Sequence, residues 1–152
     1  MESVIKYLPS PLEKGVIEGR LLDDEGTRIA RGPDMKRLCA LAFKVVNDRE
    51  RGLLSFFRVY SGKLKNRMKV KNVARGTVER VQQLYRMRAD DPALLQEIGP
   101  GDIGAIVGCK EIRSGDTLID EADQEKVLLE GVKMPPPVFF CSIEPLATRD
   151  KE

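Results

Sequence analysis

Apolar positions along this chain fall into short stretches of period two, separated roughly every ten residues by glycine, proline and acidic turns. The densest is Leu53 to Leu64 (LLSFFRVYSGKL), whose aromatic and branched residues suit a pleated, half-buried surface. In an extended chain Leu54, Phe56, Arg58 and Tyr60 share one face, and Leu53, Ser55, Phe57 and Val59 share the other. Leu38 to Asp48 (LCALAFKVVND) reads as a second strand. The polar connection Arg49 to Gly52 makes the pair a hairpin. Lys63 to Val73 alternates again, with Leu64, Met68, Val70 and Asn72 set against Lys63, Lys69, Lys71 and Val73. Asn66 is the expected turn position there, since asparagine tolerates a positive φ. Thr77 to Arg88 fits both helical and strand periods; its opening Thr77-Val78 and hairpin-rich surroundings favour strand.

Further on, Ala89-Asp90-Asp91-Pro92 predicts a turn that opens a short helical piece at Ala93 to Glu97. Ile103 to Val107, Thr117 to Ile119 and Val127 to Val132 read as strands between turns. Short strands at this spacing indicate an all-β, closed antiparallel barrel. Ahead of it, Met1 to Leu8 reads as the last turns of a helix stopped by Pro9-Ser10-Pro11. The glycine-dotted 12–37 segment reads as a linker and surface excursion with a short strand at Thr27 to Ala30. Behind it, Met134-Pro135-Pro136-Pro137 is a stiff boundary, and Val138 to Ile143 is a strand with no partner downstream. The division is therefore 1–11, 12–37, a barrel at 38–133, and 134–152, as in a fragment excised from a longer protein.

Composition narrows the chemistry. A 41% hydrophobic fraction supports a core, and 33% charged residues exceed the usual quarter, a soluble globular balance. No run of eighteen apolar residues offers a membrane-spanning helix, and the first residues form no secretory signal. Cys39, Cys109 and Cys141 lie far apart, without CxxC and without one histidine. They read as reduced thiols rather than a disulfide framework or zinc site, consistent with a reducing compartment. No GxxxxGK[ST] loop is present to cradle nucleotide phosphates. Asp23-Asp24-Glu25-Gly26 meets the loose DxxG pattern as an acidic turn. Without histidine a serine–histidine triad is excluded. Asp102, Asp116 and Glu144 stand beside turn residues, as caps or turn formers. The chain alone is not expected to be an enzyme or to hold a cofactor or metal.

Charge is where the sequence speaks most clearly. From Lys63 to Arg88 nine basic residues face one acid, a net of +8, which leaves −6 for the rest of a chain totalling +2. Lys63, Lys65, Arg67, Lys69 and Lys71 recur every second residue, so a regular strand would line them on one face able to track a phosphate backbone. The same pattern also suits a solvated face that discourages edge pairing. Phe56, Phe57 and Tyr60 are the candidates for base stacking, with core packing the expected use of both phenylalanines.

The blocks ALAFKV…RGLLSFFRVYSGKL, ERVQQLYRMRAD and GDIGAIVGCKEIRSGDTL, in that order, resemble the second domain of the elongation factor G family of translational GTPases. MESVIKYLPSP resembles the end of the GTPase domain before it, and PPPVFFCSIEP the entry into the third domain. LCALAFKVVNDRERG and VLLEGVKMPPPVFFCSIEP resemble the mitochondrial elongation factor G of the second type, the ribosome-releasing branch. The resemblance implies a six-stranded β-barrel that docks on small-subunit ribosomal RNA and packs against its own GTPase domain and the domain that follows. It implies a parent using GTP and magnesium, and working with ribosome recycling factor in the mitochondrial matrix; the alternative setting is a bacterial cytoplasm. Lys63, Lys65, Arg67, Lys69, Lys71 and Arg75 are then the expected RNA-facing residues. Where the family commonly has glycine after the YSG strand, this chain reads Lys65-Asn66-Arg67, with Asn66 expected in the glycine's role. Two alternatives stand beside this reading: a structural spacer that binds no RNA by itself, and a flavin-binding barrel. The second rests on Arg58-Val59-Tyr60-Ser61, which resembles the RxYS signature whose arginine and serine hold flavin phosphates.

Overall fold

Alternating side chains turn about half of the described residues into strand. A computed structural model describes residues 2–10, 12–24, 26–88 and 91–131, with the single positions 138 and 141. Among these residues there is one short helix, α1 (Glu2–Tyr7), and thirteen strands. The first five are β1 (Ile17–Leu21), β2 (Arg28–Arg31), β3 (Cys39–Asp48), β4 (Gly52–Ser61) and β5 (Leu64–Lys65). Then come β6 (Lys69–Asn72), β7 (Val78–Arg80), β8 (Gln83–Arg88) and β9 (Asp91–Leu95). The last are β10 (Glu97–Ile98), β11 (Ile103–Val107), β12 (Thr117–Asp120) and β13 (Val127–Leu129). The all-β expectation holds. No helix among the described residues is long and apolar enough to cross a membrane.

The β3–β4 hairpin is the middle of an eight-stranded antiparallel sheet ordered β7-β6-β12-β3-β4-β11-β8-β9. Its loop is closed by Asp48, whose Oδ1 accepts the backbone N–H of Glu50 (2.9 Å) and Arg51 (2.8 Å), and by Gly52 at φ 74°. An aspartate-capped turn followed by a left-handed glycine matches the twist of the two strands. As the alternation predicts, Ser55, Phe57 and Val59 are buried, while Phe56, Arg58 and Tyr60 lie half-buried on the opposite face. Residues from β3, β4, β5, β6, β8, β10, β11 and β12 share one apolar core around Phe57. Burying a side chain of that size stabilises by about 2–3 kcal/mol.

A second, smaller cluster forms where Cys39, Leu41 and Tyr60 meet the three-stranded sheet β13-β1-β2. The 12–37 segment is therefore more than a linker. The expected short strand is found at Arg28–Arg31, and β1 pairs both with it and with β13. An ion network fixes this sheet. The Arg31 Nη2 lies 3.2 Å from Asp123 Oδ2 and 3.1 Å from Glu125 Oε2, and Arg37 Nη1 reaches the same two carboxylates. Arg31 and Asp123 are almost fully buried, so removing either partner would strand a charge.

Two expectations are overturned. Ala93 to Glu97 is strand on either side of a bend at Gln96 rather than helix, because Leu84↔Leu95 and Tyr85↔Leu94 pair across a β8–β9 hairpin and Glu97 opens β10. The eight-stranded ladder is open from β7 to β9, so the strand pairing does not itself close the expected six-stranded barrel, and the strands are short. Val81-Gln82 divides β7 from β8, and the Asn66-Arg67 turn divides β5 from β6. In that turn the Met68 N–H donates to the Lys65 carbonyl (3.2 Å), and Arg67, not Asn66, holds the positive φ of 62°. The regular strand that would align every second cation is thereby interrupted. Val138 to Ile143 lies outside the described residues apart from the positions 138 and 141.

A side chain with a Cβ in the left-handed region is strained, so Arg67→Gly should stabilise the fold by about 0.5–1 kcal/mol. Asn66→Gly should not, and denaturant melts of both variants decide between them. Burial pushes the thiols of Cys39 and Cys109 up to about 12, so at pH 8 roughly one molecule in ten thousand is thiolate. Cys141 is exposed. Iodoacetamide at pH 8 should label the native chain once, at Cys141, and three times in urea, as peptide mass mapping would read.

Candidate functional site

The Lys63–Arg75 segment leaves the central hairpin through Gly62, whose φ of 66° and backbone contact with Arg37 and Leu38 exclude a Cβ. From there the predicted cations take three different roles. Lys63 Nζ donates to Glu97 Oε1 at 2.6 Å, and this bond holds the Glu97 carboxyl below its ordinary range. Lys69 Nζ lies 3.2 Å from Glu121 Oε2. Arg75 Nε donates to Asp116 Oδ2 at 3.2 Å and is only one-third exposed. Lys65 and Arg67 are exposed and Lys71 half-buried, and none of the three forms an ion pair among the described residues.

Asp116 explains the inward turn of Arg75. It is buried, and its Oδ2 also accepts from Asn72 Nδ2 (2.7 Å) and from the Arg113 backbone N–H (2.8 Å). Asn72 Oδ1 in turn accepts the Arg75 N–H at 3.3 Å. A carboxylate shared by three donors organises two turns. Asp102 likewise bridges to Arg86 at 2.9 Å. Asp24 accepts from the Gly26 N–H and the Thr27 hydroxyl, which holds its carboxyl low and makes the DxxG match an ordinary acidic turn. Glu144 lies outside the described residues.

Two cations escaped the residue-by-residue reading. Arg80 stands opposite Lys69 in the β6–β7 register, and its Nε donates to the Arg67 carbonyl at 3.2 Å. Arg67, Lys69 and Arg80 thus share one end of the sheet. Arg80 belongs to the basic run, but only pairing shows that it returns to Arg67. Lys36 joins Lys63 and Lys65 around an open cleft of about 590 Å³, with Met35, Met68 and Asp120 among its walls. Nothing in the 12–37 sequence signals this. It depends on the Gly62 N–H donating to the Met35 carbonyl at 2.8 Å.

The aromatic candidates separate as well. Phe57 is fully buried, but Phe56 is only half so, 6.5 Å from the Phe43 ring with the Lys44 ammonium 5.9 Å from its centroid. Phe43 is the extra residue of a β-bulge, since Ala42 pairs with Phe57 and Lys44 with Phe56. The Arg58 guanidinium lies 5.8 Å from the centroid of the Tyr60 ring. Ser61, the other polar residue of RxYS, is buried and donates its hydroxyl to the Arg37 carbonyl at 2.7 Å. Among the described residues no group of three or more histidine, cysteine or carboxylate side chains converges on a metal position.

A comparison with known protein families matches residues 37–121 to elongation factor G domain 2. The match covers more than half of the 152 residues, running from the edge of β3 through β12, and it contains the whole basic segment. The chain therefore belongs to the elongation factor G domain 2 family, a module of the translation-factor GTPases.

Proposed function

We propose that this chain is the ribosome-docking domain of an elongation factor G-like GTPase, and that it meets small-subunit ribosomal RNA through Lys65, Arg67 and Lys71. Lys63, Lys69 and Arg75 flank them, joined by Arg80. The observation that carries this reading is the group of cations at the Asn66-Arg67 turn that no carboxylate of the described residues neutralises. Unpaired, they retain the counterion release that phosphate contact supplies. Lys63 and Lys69 would first have to exchange a carboxylate for a phosphate.

The domain is further read as a six-stranded barrel made of β6, β12, β3, β4, β11 and the joined β7–β8 segment. Support comes from the break itself: the Val81 N–H donates to the Met68 carbonyl (2.9 Å), and the Gln82 N–H to the Val107 carbonyl (3.1 Å). The segment pairs with β6 at one end and with β11 at the other, around one shared core. The chain's division into 1–11, 12–37, 38–133 and 134–152 belongs to the same reading. So does a parent that binds GTP and magnesium elsewhere, contacts its GTPase and third domains, and splits mitochondrial ribosomes with ribosome recycling factor. The support for the mitochondrial type is the resemblance of LCALAFKVVNDRERG and VLLEGVKMPPPVFFCSIEP.

A second reading has its own observation. Lys63, Lys69 and Arg75 are already matched to Glu97, Glu121 and Asp116, as in a spacer whose charges serve its own fold. Co-sedimentation with small ribosomal subunits across a salt series separates the two. Docking predicts salt-sensitive binding, and replacing Lys65, Arg67 and Lys71 by alanine should flatten the slope of log K against log salt by about two to three. No binding at low salt, or an unchanged slope, would favour the spacer.

A further inference from the structure

The seam between the large sheet and the β13-β1-β2 sheet holds a cleft of about 330 Å³. One wall is the half-buried outer face of β4, Arg58 and Tyr60; the other is the Lys14-Gly15-Val16-Ile17 approach to β1, closed by Pro33 and Gly101. Two cations line it and no carboxylate does. Arg28, Arg31, Arg37, Arg51, Arg75 and Arg86 have carboxylate partners. Arg20, Arg49, Arg67, Arg80 and Arg113 have none among the described residues but are exposed, whereas Arg58 is half-buried. Among the described residues Arg58 has neither an ion pair nor a side-chain hydrogen bond, and its Nε is buried without an acceptor. A guanidinium brings five donors in a planar fork, and a buried Nε–H left unmatched is costly, while the remaining donors are free to take an acceptor.

We propose that this seam cleft binds a small organic oxyanion, a carboxylate or phosphate carried on a flat apolar body. The oxyanion would accept from the Arg58 guanidinium with the Lys14 ammonium alongside, while the apolar body lies against Tyr60, Val16 and Ile17. The chemistry follows from the walls: a fork that matches two oxygens, a second positive charge, and apolar surface for the remainder. The Arg58 guanidinium already lies 5.8 Å from the Tyr60 ring centroid, a cation–π contact that helps to place the fork before anything arrives. The site is separate from the basic turn and independent of any contact with RNA.

The test titrates the full chain with phenyl phosphate, benzoate and the neutral benzamide, following the Arg58 Nε–H and the Gly15 and Gly101 amides by nitrogen-15 NMR. The expected result is a saturable shift of these signals by one or both anions and none by benzamide. Response to both defines a general oxyanion site, and response to phenyl phosphate or benzoate alone identifies the phosphate or the carboxylate as its ligand. Affinity should fall at least tenfold in Lys14→Gln and disappear in Arg58→Gln. Shifts that do not saturate, an equal response to benzamide, or affinity unchanged in either folded variant would overturn the proposal. If Arg58→Gln fails to fold, Lys14→Gln decides alone, because Lys14 is exposed and outside both cores.

Discussion

The pairing of β3 with β4 is the constraint on which the remaining strands depend. These two strands occupy the centre of the large sheet, β12 bonds to the outer edge of one and β11 to that of the other. A slip of one residue would send Phe57 and Val59 outward and bring Arg58 into the core. Two irregularities hold the register. Phe43 bulges out of β3, and Tyr60 is the extra residue on β4, where Cys39 pairs with Ser61 and Ala40 with Val59. The second bulge turns Tyr60 towards the small sheet. The first residues of β3 are consequently buried on both faces, which is why Cys39-Ala40-Leu41-Ala42 is an unbroken apolar run rather than an alternating one.

Much of this was legible in the sequence because period two survives wherever one face is buried. The hairpin, β11, β12 and the inward set Leu64, Val70 and Asn72 follow directly from it. The misreadings share a physical cause, since each involves a backbone feature that side-chain pattern does not encode. Leu94 and Leu95 look helical until β8 supplies the partner that makes them strand. Asn66 has the side chain for a positive φ, but the turn places its left-handed residue one position later, at Arg67. Phe56 and Phe57 are chemically alike, and only the pleat decides that one is core and the other half outside.

The basic segment shows a different limit. Counting charges gave its location and sign correctly, but availability depends on acids far away in sequence. Glu97, Asp116 and Glu121 come from later strands and turns, and they take up Lys63, Arg75 and Lys69. What remains is a narrower group near one turn, in which Arg80 belongs by register. Membership of the elongation factor G domain 2 family gives the setting for that group, and the local geometry gives its composition.

The Arg31–Asp123 ion pair bears on where this domain begins and ends. Family similarity covers residues 37–121, yet both ends of that pair fall outside it, as do β1, β2 and β13, which cover Cys39, Leu41 and Tyr60. A domain trimmed to its most recognisable residues would keep the large sheet while uncovering an oily strip along its central hairpin. The unit that heredity makes easiest to recognise is smaller than the unit that water requires to be closed.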